Sequence, residues 1–187
     1  MDTRERILET AQRLAQQRGF NAFSYADISA AVGVRKASIH HHFASKEDLE
    51  LELVRRYRQD FNAKLEAIES RQPRSVERIR EYGRLYMGTL AAGGICMCGM
   101  MASDIASLSP ALREPLRVFF EDQMRWLTAV LNRGRDAGEL SFADAPGRRA
   151  LSILADLQGG LVIAHALQDP AVLDSLLDTI LVGLRPQ

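Results

Sequence analysis

The fold of this chain is decided by residues 23–49, which read FSYADISAAVGVRKASIHHHFASKEDL. The apolar spacing around Ile28 predicts a short helix that Gly33 ends, and a second short helix follows over Lys36–Phe43. Two short helices joined by a glycine-containing turn are typical of a helix-turn-helix, whose second helix enters the major groove of DNA. The stretch therefore predicts a DNA-reading unit.

The side chains that would meet DNA follow from helix geometry. At about 100 degrees per residue, Ile39 and Phe43 share the inward face of the second helix. Arg35 and Lys36 at the helix start can donate to bases or phosphates, and small neighbours let the backbone approach base edges. The starts of the flanking helices can hold phosphates with backbone amides and side-chain donors. The expected DNA-binding residues are Ser24, Tyr25, Arg35, Lys36, Ala37, Ser38, His40, His41 and Lys46.

The three consecutive histidines, His40, His41 and His42, are not expected to bind a metal. Consecutive helical residues point about 100 degrees apart, whereas pairs of ligands on a helix are three or four residues apart. A solvated or phosphate-facing role suits these imidazoles better.

Helical periodicity continues through the rest of the chain and predicts an all-α fold of about nine helices. The fourth helix is long and ends where Pro73 interrupts it. The seventh is expected to start at Ser109 and Pro110, which leaves Pro115 either in the first turn of a later-starting helix or at a kink. Asp144 is expected to cap the eighth helix.

The last two helices are unusually apolar, and this pattern predicts a homodimer. The ninth helix carries an apolar stripe that is wider than one neighbouring helix can cover. Gly159 and Gly160 weaken the eighth helix, and close approach of another backbone is a reason to tolerate that cost. Two copies that pack helices eight and nine into a four-helix bundle would satisfy both observations.

The N-terminal quarter of the chain resembles the TetR family of bacterial regulators. Its DNA-binding signature is similar in order and spacing to Ile28, Gly33, Val34, Lys36, Ser38, His41, Phe43, Ser45, Lys46 and Leu49. The resemblance implies that the third helix is the recognition helix, that helices eight and nine form the dimer, and that the protein is a repressor released by a small ligand. Two recognition helices of one dimer are expected to enter successive major grooves of a pseudo-palindromic double-stranded operator. His40 stands where a tyrosine is usual and Arg35 where a small hydroxyl residue is usual. We therefore expect a helix-turn-helix DNA-binding domain over residues 1–46 and a helical ligand-binding and dimerisation domain over residues 47–187.

Aromatic, methionine and isolated polar side chains of the middle helices form a candidate effector pocket. Methionine suits promiscuous apolar binding, but such residues also serve as ordinary core filler, and both interpretations stay open. A polar group on these helices is either a buried hydrogen-bonded residue, an exposed one or a ligand contact. The candidate residues are Phe61, Tyr82, Tyr86, Met97, Met100, Asp104, Gln123, Met124 and Trp126.

The only two cysteines, Cys96 and Cys98, offer an alternative trigger. They are too close for an ordinary long-loop disulfide and fit a reducing compartment. A thiolate of lowered pKa could be oxidised or alkylated and so act as a sensor, but no basic residue lies nearby in sequence. Core packing is the default expectation for both.

Composition narrows the class of protein further. The 24 basic and 24 acidic residues balance, although basic residues slightly outnumber acidic ones up to Lys46. We find no uncharged apolar run long enough for a membrane span and no signal peptide, so a cytoplasmic protein is expected. No motif couples a nucleophile to a base and an orienting acid, so neither an enzyme nor a bound cofactor is expected.

Overall fold

The computed structural model describes residues 2–185, and this part of the chain forms nine α-helices and no β-strand. The all-α prediction is therefore confirmed. Short 3₁₀ turns cover Phe20–Ala22 and Pro110–Leu112. The helices are α1 (Thr3–Arg18), α2 (Tyr25–Val32), α3 (Lys36–His42), α4 (Lys46–Arg71), α5 (Ser75–Ala91), α6 (Met97–Ser103), α7 (Arg113–Asp136), α8 (Pro146–Leu167) and α9 (Ala171–Val182).

Local capping explains where α2 and α4 begin. Ser24 accepts a hydrogen bond from the backbone of α2, and the Asp27 carboxylate accepts from the Ser24 backbone N–H at 2.8 Å. Ser45 and Asp48 make the same reciprocal arrangement at the start of α4. Gly33 ends α2 in the left-handed conformation, with φ of 75°, which a side chain rarely adopts. The turn between α2 and α3 is thus set by residues close in sequence.

Two predicted helix starts need correction. Ser109 does cap a turn, but that turn is the 3₁₀ segment, and α7 begins later, at Arg113. Pro115 consequently lies in the first turn of α7, where its missing N–H costs no helical hydrogen bond. The expected cap of α8 by Asp144 is wrong, because its carboxylate instead pairs with Arg149 at 2.8 Å. The helix starts with a proline at its first position and no side-chain cap.

The chain divides into two compact units. The first comprises the described residues of Met1–Gln59 and Cys96–Val118. Its core joins α1, α2, α3 and the start of α4, and α6 packs against α1. The largest side chains buried there include Ile7, Leu8, Ile28, Ile39 and Leu49.

The second unit comprises the described residues of Asp60–Ile95 and Phe119–Gln187. Its helices α5, α8 and α9 pack against one another. A Cβ atom on Gly160 would lie 2.4 Å from the Leu176 side chain, so close packing of α9 in the same chain accounts for this glycine. Gly159, in contrast, faces open space. Gly160 therefore has a packing reason within one copy of the chain, and Gly159 does not.

The division by contacts differs from the predicted domain boundary between residues 46 and 47. Helix α4 contributes residues to both units, and so does α7. The predicted boundary separates the DNA-binding residues from the rest of the chain, and it stays a prediction.

Helix α8 is long and apolar enough to cross a membrane when judged by length and composition alone. Its inner face is buried by contacts with α5 and α9. The core helix of a soluble protein meets the same two criteria, and Asp156 lies near the middle of this one.

Candidate nucleic-acid interface

The second helix of the helix-turn-helix, α3, presents its predicted outer residues to solvent. Ile39 is fully buried and Phe43, just after the helix, is buried as well. The outward geometry derived from helix periodicity is therefore observed. The residues that carry it are Arg35, Lys36, Ala37, His40 and His41, all exposed, and Ser38, which is half-buried.

The side chains of Arg35 and Lys36 have no hydrogen-bond or ion-pair partner among the described residues. Two other cations of the first unit, in contrast, are occupied. Arg4 pairs with Glu52 at 2.7 Å, and Arg6 donates to the carbonyl oxygen of Val32 at 2.5 Å. Positive charge that is available to an anion therefore lies at the start of α3.

Tyr25 ties α2 to the end of α3. Its hydroxyl donates to the carbonyl oxygens of Phe43 and Ser45 at 3.1 and 2.6 Å, and its ring meets that of His40 edge to face at 4.8 Å. Burial raises the pKa of Tyr25 to about 12, and the negative charges of Asp48 and Glu50 add to the shift. The tyrosine stays neutral and positions His40 on the outer face.

Ser24 sits at the exposed N-terminus of α2, but its hydroxyl already has an acceptor. It donates to the Asp27 carboxylate at 2.7 Å, and hydrogen bonds from the Ser24 side chain and backbone lower the pKa of Asp27. In this conformation the serine organises the helix start.

Lys46 has a structural role that sequence reasoning missed. Its ammonium group donates to the carbonyl oxygens of Phe20 and Phe23 at 3.0 and 3.1 Å, and it lies over both rings. Two of the three donors of the ammonium are thereby used within the first unit. A phosphate contact by Lys46 stays a prediction.

The candidate effector residues fall into two groups. The first group lies within the second unit and consists of Phe61, Tyr82, Tyr86, Gln123 and Trp126. The hydroxyls of both tyrosines donate to the Oε1 atom of Gln123, at 2.7 Å from Tyr82 and 3.1 Å from Tyr86. Phe61 meets Tyr82 edge to face, and Trp126 stacks on it with ring centroids 5.6 Å apart. Met124 lies half-buried on the same helix as Gln123.

Met97, Met100 and Asp104 belong to the first unit, and their contacts lie there. Met97 is fully buried, and the methyl group of Met100 lies against Gly19. The Asp104 carboxylate accepts a hydrogen bond from Asn21, which also donates to the Ser107 hydroxyl at 2.9 Å. These residues fasten α6 and the turn after it to the segment following α1.

Both cysteines are buried free thiols. The Tyr57 hydroxyl lies 3.9 Å from the sulfur of Cys96. Burial raises the pKa of the Cys98 thiol well above its ordinary value, and the neighbouring Cys96 adds to the shift. Cys98 is therefore a poor nucleophile at neutral pH in this conformation. Within residues 2–185, no group of His, Cys, Asp or Glu side chains is arranged to hold a metal ion.

Comparison with known proteins identifies the family. The family model described as "Bacterial regulatory proteins, tetR family" matches residues 7–53, which contain the helix-turn-helix and the start of α4. The crystal structure of a TetR-family regulator from Agrobacterium tumefaciens is 35% identical, covers 98% of each chain and superimposes with a TM-score of 0.95. A TetR regulator from Legionella pneumophila is 30% identical over 99% of this chain and 98% of its own, with a TM-score of 0.90. Among curated proteins, the transcriptional repressor DhaR of Mycobacterium sp. strain GP1 is 24% identical over 98% of this chain and 92% of its own length. The chain is a helix-turn-helix, DNA-binding transcriptional regulator that belongs to the TetR family.

Proposed function

We propose that this protein is a homodimeric repressor that binds a pseudo-palindromic operator through two copies of α3 and leaves it when a small molecule binds. The observation that carries the proposal is the pair of unpartnered cations, Arg35 and Lys36, on an exposed helix start anchored by Ile39. Repression rather than activation is supported by the relative DhaR, which is named a repressor.

The outer face of α3 would read bases. Arg35 and Lys36 would donate to guanine or to phosphate, and Ala37 would let the helix approach the floor of the groove. Ser38, His40 and His41 would complete the contact. Ser24, Tyr25 and Lys46 would act at the edge of this surface, the latter two chiefly by holding α2, α3 and α4 in register.

The second copy would dock on α8 and α9. Leu151, Val162 and Ile163 are each more than half exposed, and with Gly159 they share one face of α8. A groove of about 700 Å³ between α8 and α9 adjoins this face. Exposed apolar side chains of this size in one patch indicate an interaction surface, and a four-helix bundle of two copies would bury them.

Effector binding would act through the equilibrium between DNA-competent and DNA-incompetent dimers. A ligand can shift that equilibrium only by the difference in its affinity for the two states. Helix α4 begins at Lys46 beside the DNA-reading helices and continues without interruption into the second unit, so a shift of its second half would be transmitted to its first. The Tyr82, Tyr86 and Gln123 cluster is a candidate ligand contact, with core packing as the alternative.

Thiol sensing through Cys96 and Cys98 is the alternative trigger. An electrophile would have to reach sulfur atoms that are buried, and the raised pKa of Cys98 leaves little thiolate to react. We therefore favour non-covalent release. Because a regulator of this family acts on chromosomal DNA and belongs to a class without catalytic activity, we propose a cytoplasmic, non-enzymatic role.

Selection from a random duplex library by the purified protein tests the proposal. We expect enrichment of an inverted repeat, with two half-sites about one helical turn apart, because a two-fold dimer imposes its symmetry on the site. Affinity for the selected duplex should fall steeply with salt. Binding with no enriched dyad would contradict the dimeric mode, and binding that is independent of salt would contradict the assigned cationic surface.

A further inference from the structure

A cleft in the second unit opens where α5 and α8 end and α9 begins. Its volume is about 510 Å³, within the usual range of small-molecule sites. Met87, Leu90, Ala164 and Pro170 contribute most of an apolar lining. None of the nine candidate effector residues predicted from the sequence lines it.

The backbone explains why the helices leave space here. Gln168 ends α8 in the left-handed conformation, with φ of 54°, and the next helix restarts directly after Pro170. Gly93 turns the chain away from the end of α5 with φ of 76°. The cleft is therefore bounded by helix ends that hydrogen-bonded turns hold in place, rather than by a long loop.

The lining of the cleft includes two carboxylates, those of Asp169 and Asp174. Asp174 is exposed and has no side-chain partner among the described residues. Asp169 accepts a hydrogen bond from the Ala171 backbone N–H at 3.0 Å through one oxygen, which leaves its second oxygen available. His165 is the remaining titratable residue, and neither lysine nor arginine lines the cleft.

Two of the three helix ends at the cleft add to the negative potential. The C-terminal ends of α5 and α8 carry partial negative charge, whereas the positive N-terminus of α9 opposes them and is partly offset by the Asp169 carboxylate, which accepts from the Ala171 backbone N–H. An apolar lining with negative potential at its rim favours a ligand with an apolar body and a positive head.

We propose that this cleft binds an amphiphilic organic monocation. Its use as the effector site rests on the small-molecule release proposed above. The apolar body would lie against Met87 and Leu90, and the cationic head would lie between Asp169 and Asp174.

Calorimetric titration of the purified protein with octyltrimethylammonium, 1-octanol and octanoate tests the charge selectivity. The three probes share an eight-carbon chain and differ in the head group. We expect the cation to bind about tenfold more tightly than the alcohol, and octanoate to bind least. Equal or tighter binding of octanoate, or no binding of the cation, would overturn the proposal.

Two substitutions locate the site. Asp174→Asn should weaken binding of the cation about threefold, as expected for a partly exposed ion pair, and leave octanol binding unchanged. Asp178→Asn removes the same charge one turn further along α9, outside the cleft, and should have no effect. Ala91→Trp should fill the cleft and abolish binding of both probes. Equal effects of the two asparagine variants, or full binding to the tryptophan variant, would place the probe elsewhere.

DNA release is measured separately, so the two proposals can fail independently. If octyltrimethylammonium binds in the cleft but leaves operator affinity unchanged, the binding site stands and its role as the effector site is overturned. If another compound releases operator DNA equally well from wild type and Ala91→Trp, the proposed function stands and the cleft is not where release is triggered.

Discussion

The ammonium nitrogen of Lys46 lies 3.0 Å from the carbonyl oxygen of Phe20. A second carbonyl, that of Phe23, accepts from the same nitrogen. The lysine thus joins the start of α4 to the segment that precedes α2. Because hydrogen bonds from a charged donor to partly buried carbonyls are stronger than neutral ones, the side chain is expected to stabilise the first unit.

Lys46→Met keeps much of the aliphatic stem and removes the donors. We expect the free energy of unfolding to fall by about 1–3 kcal/mol, measured by urea denaturation. Lys36→Met, at an exposed position without partners, is the matched control and should change stability by less than about 0.5 kcal/mol. Equal stability of the two variants would show that the hydrogen bonds of Lys46 to Phe20 and Phe23 do not stabilise the first unit.

Lys36→Ala should act on DNA binding instead of stability. We expect affinity for the selected operator to fall, and the slope of log affinity against log salt to lose about two units, because one phosphate contact disappears from each of the two protomers. Fluorescence anisotropy of labelled operator over a salt series measures both. Lys64→Ala, an exposed lysine in the second half of α4, controls for the loss of one charge. Identical curves for these two variants would remove Lys36 from the interface.

Tyr25→Phe should reveal a stability contribution that is lost at alkaline pH. The fold raises the pKa of Tyr25 from 10.0 to about 12, so the folded chain retains the proton where the unfolded chain has released it. That contribution is complete below pH 10 and is lost as pH rises from about 10 to about 12. The stability difference between wild type and variant, obtained from urea unfolding at each pH, should therefore narrow over this window. A constant difference would show that the hydroxyl is not held in its neutral form.

What the sequence could predict depended on how far apart the interacting residues lie. The capping boxes at Ser24 and Ser45 and the turn at Gly33 involve neighbours within a few positions, and the end of the first short helix at Gly33 was predicted. The outward face of α3 followed from helix periodicity, which also involves only near neighbours. Local pattern was therefore sufficient for the DNA-reading unit.

Features that depend on distant residues were missed. Lys46 meets a carbonyl 26 positions away, and nothing in its own surroundings distinguishes that role from phosphate binding. Asp144 was missed for a different reason, because an aspartate before a helix can either cap it or pair with a cation in its first turn, and here it pairs with Arg149. The acidic cleft combines the ends of α5 and α8, more than 70 positions apart, and so has no local signal.

Alkylation tests the alternative trigger. In the native protein, Cys98 should react with iodoacetamide about a hundredfold more slowly than in urea, because burial excludes the reagent and the raised pKa leaves little thiolate. Mass spectrometry of peptides separates Cys98 from Cys96. A double Cys96→Ala, Cys98→Ala variant should still be released from the operator by the effector. Rapid native labelling that also abolishes DNA binding would favour thiol sensing.

Substitution of Gly159 tests whether a second copy of the chain packs on α8. An added Cβ atom meets nothing within 4 Å in the single chain, so Gly159→Ala should stabilise an isolated protomer through its higher helix propensity. If the partner's helices pack over this face, the same methyl group overpacks the interface, and the dimer should dissociate more readily. We expect the dissociation constant to rise at least about fivefold, consistent with an overpacking cost of roughly 1–3 kcal/mol.

Gly88→Ala provides the control, because this glycine on α5 also has open space around it and lies outside the proposed interface. Sedimentation equilibrium should show an unchanged dissociation constant for Gly88→Ala and a raised one for Gly159→Ala. Ile163→Asp, which places a charge in the exposed apolar patch, should give monomers. If Gly159→Ala and Ile163→Asp remain as dimeric as wild type, the second copy docks on another surface. The spacing between the two α3 helices would then be set elsewhere in the fold.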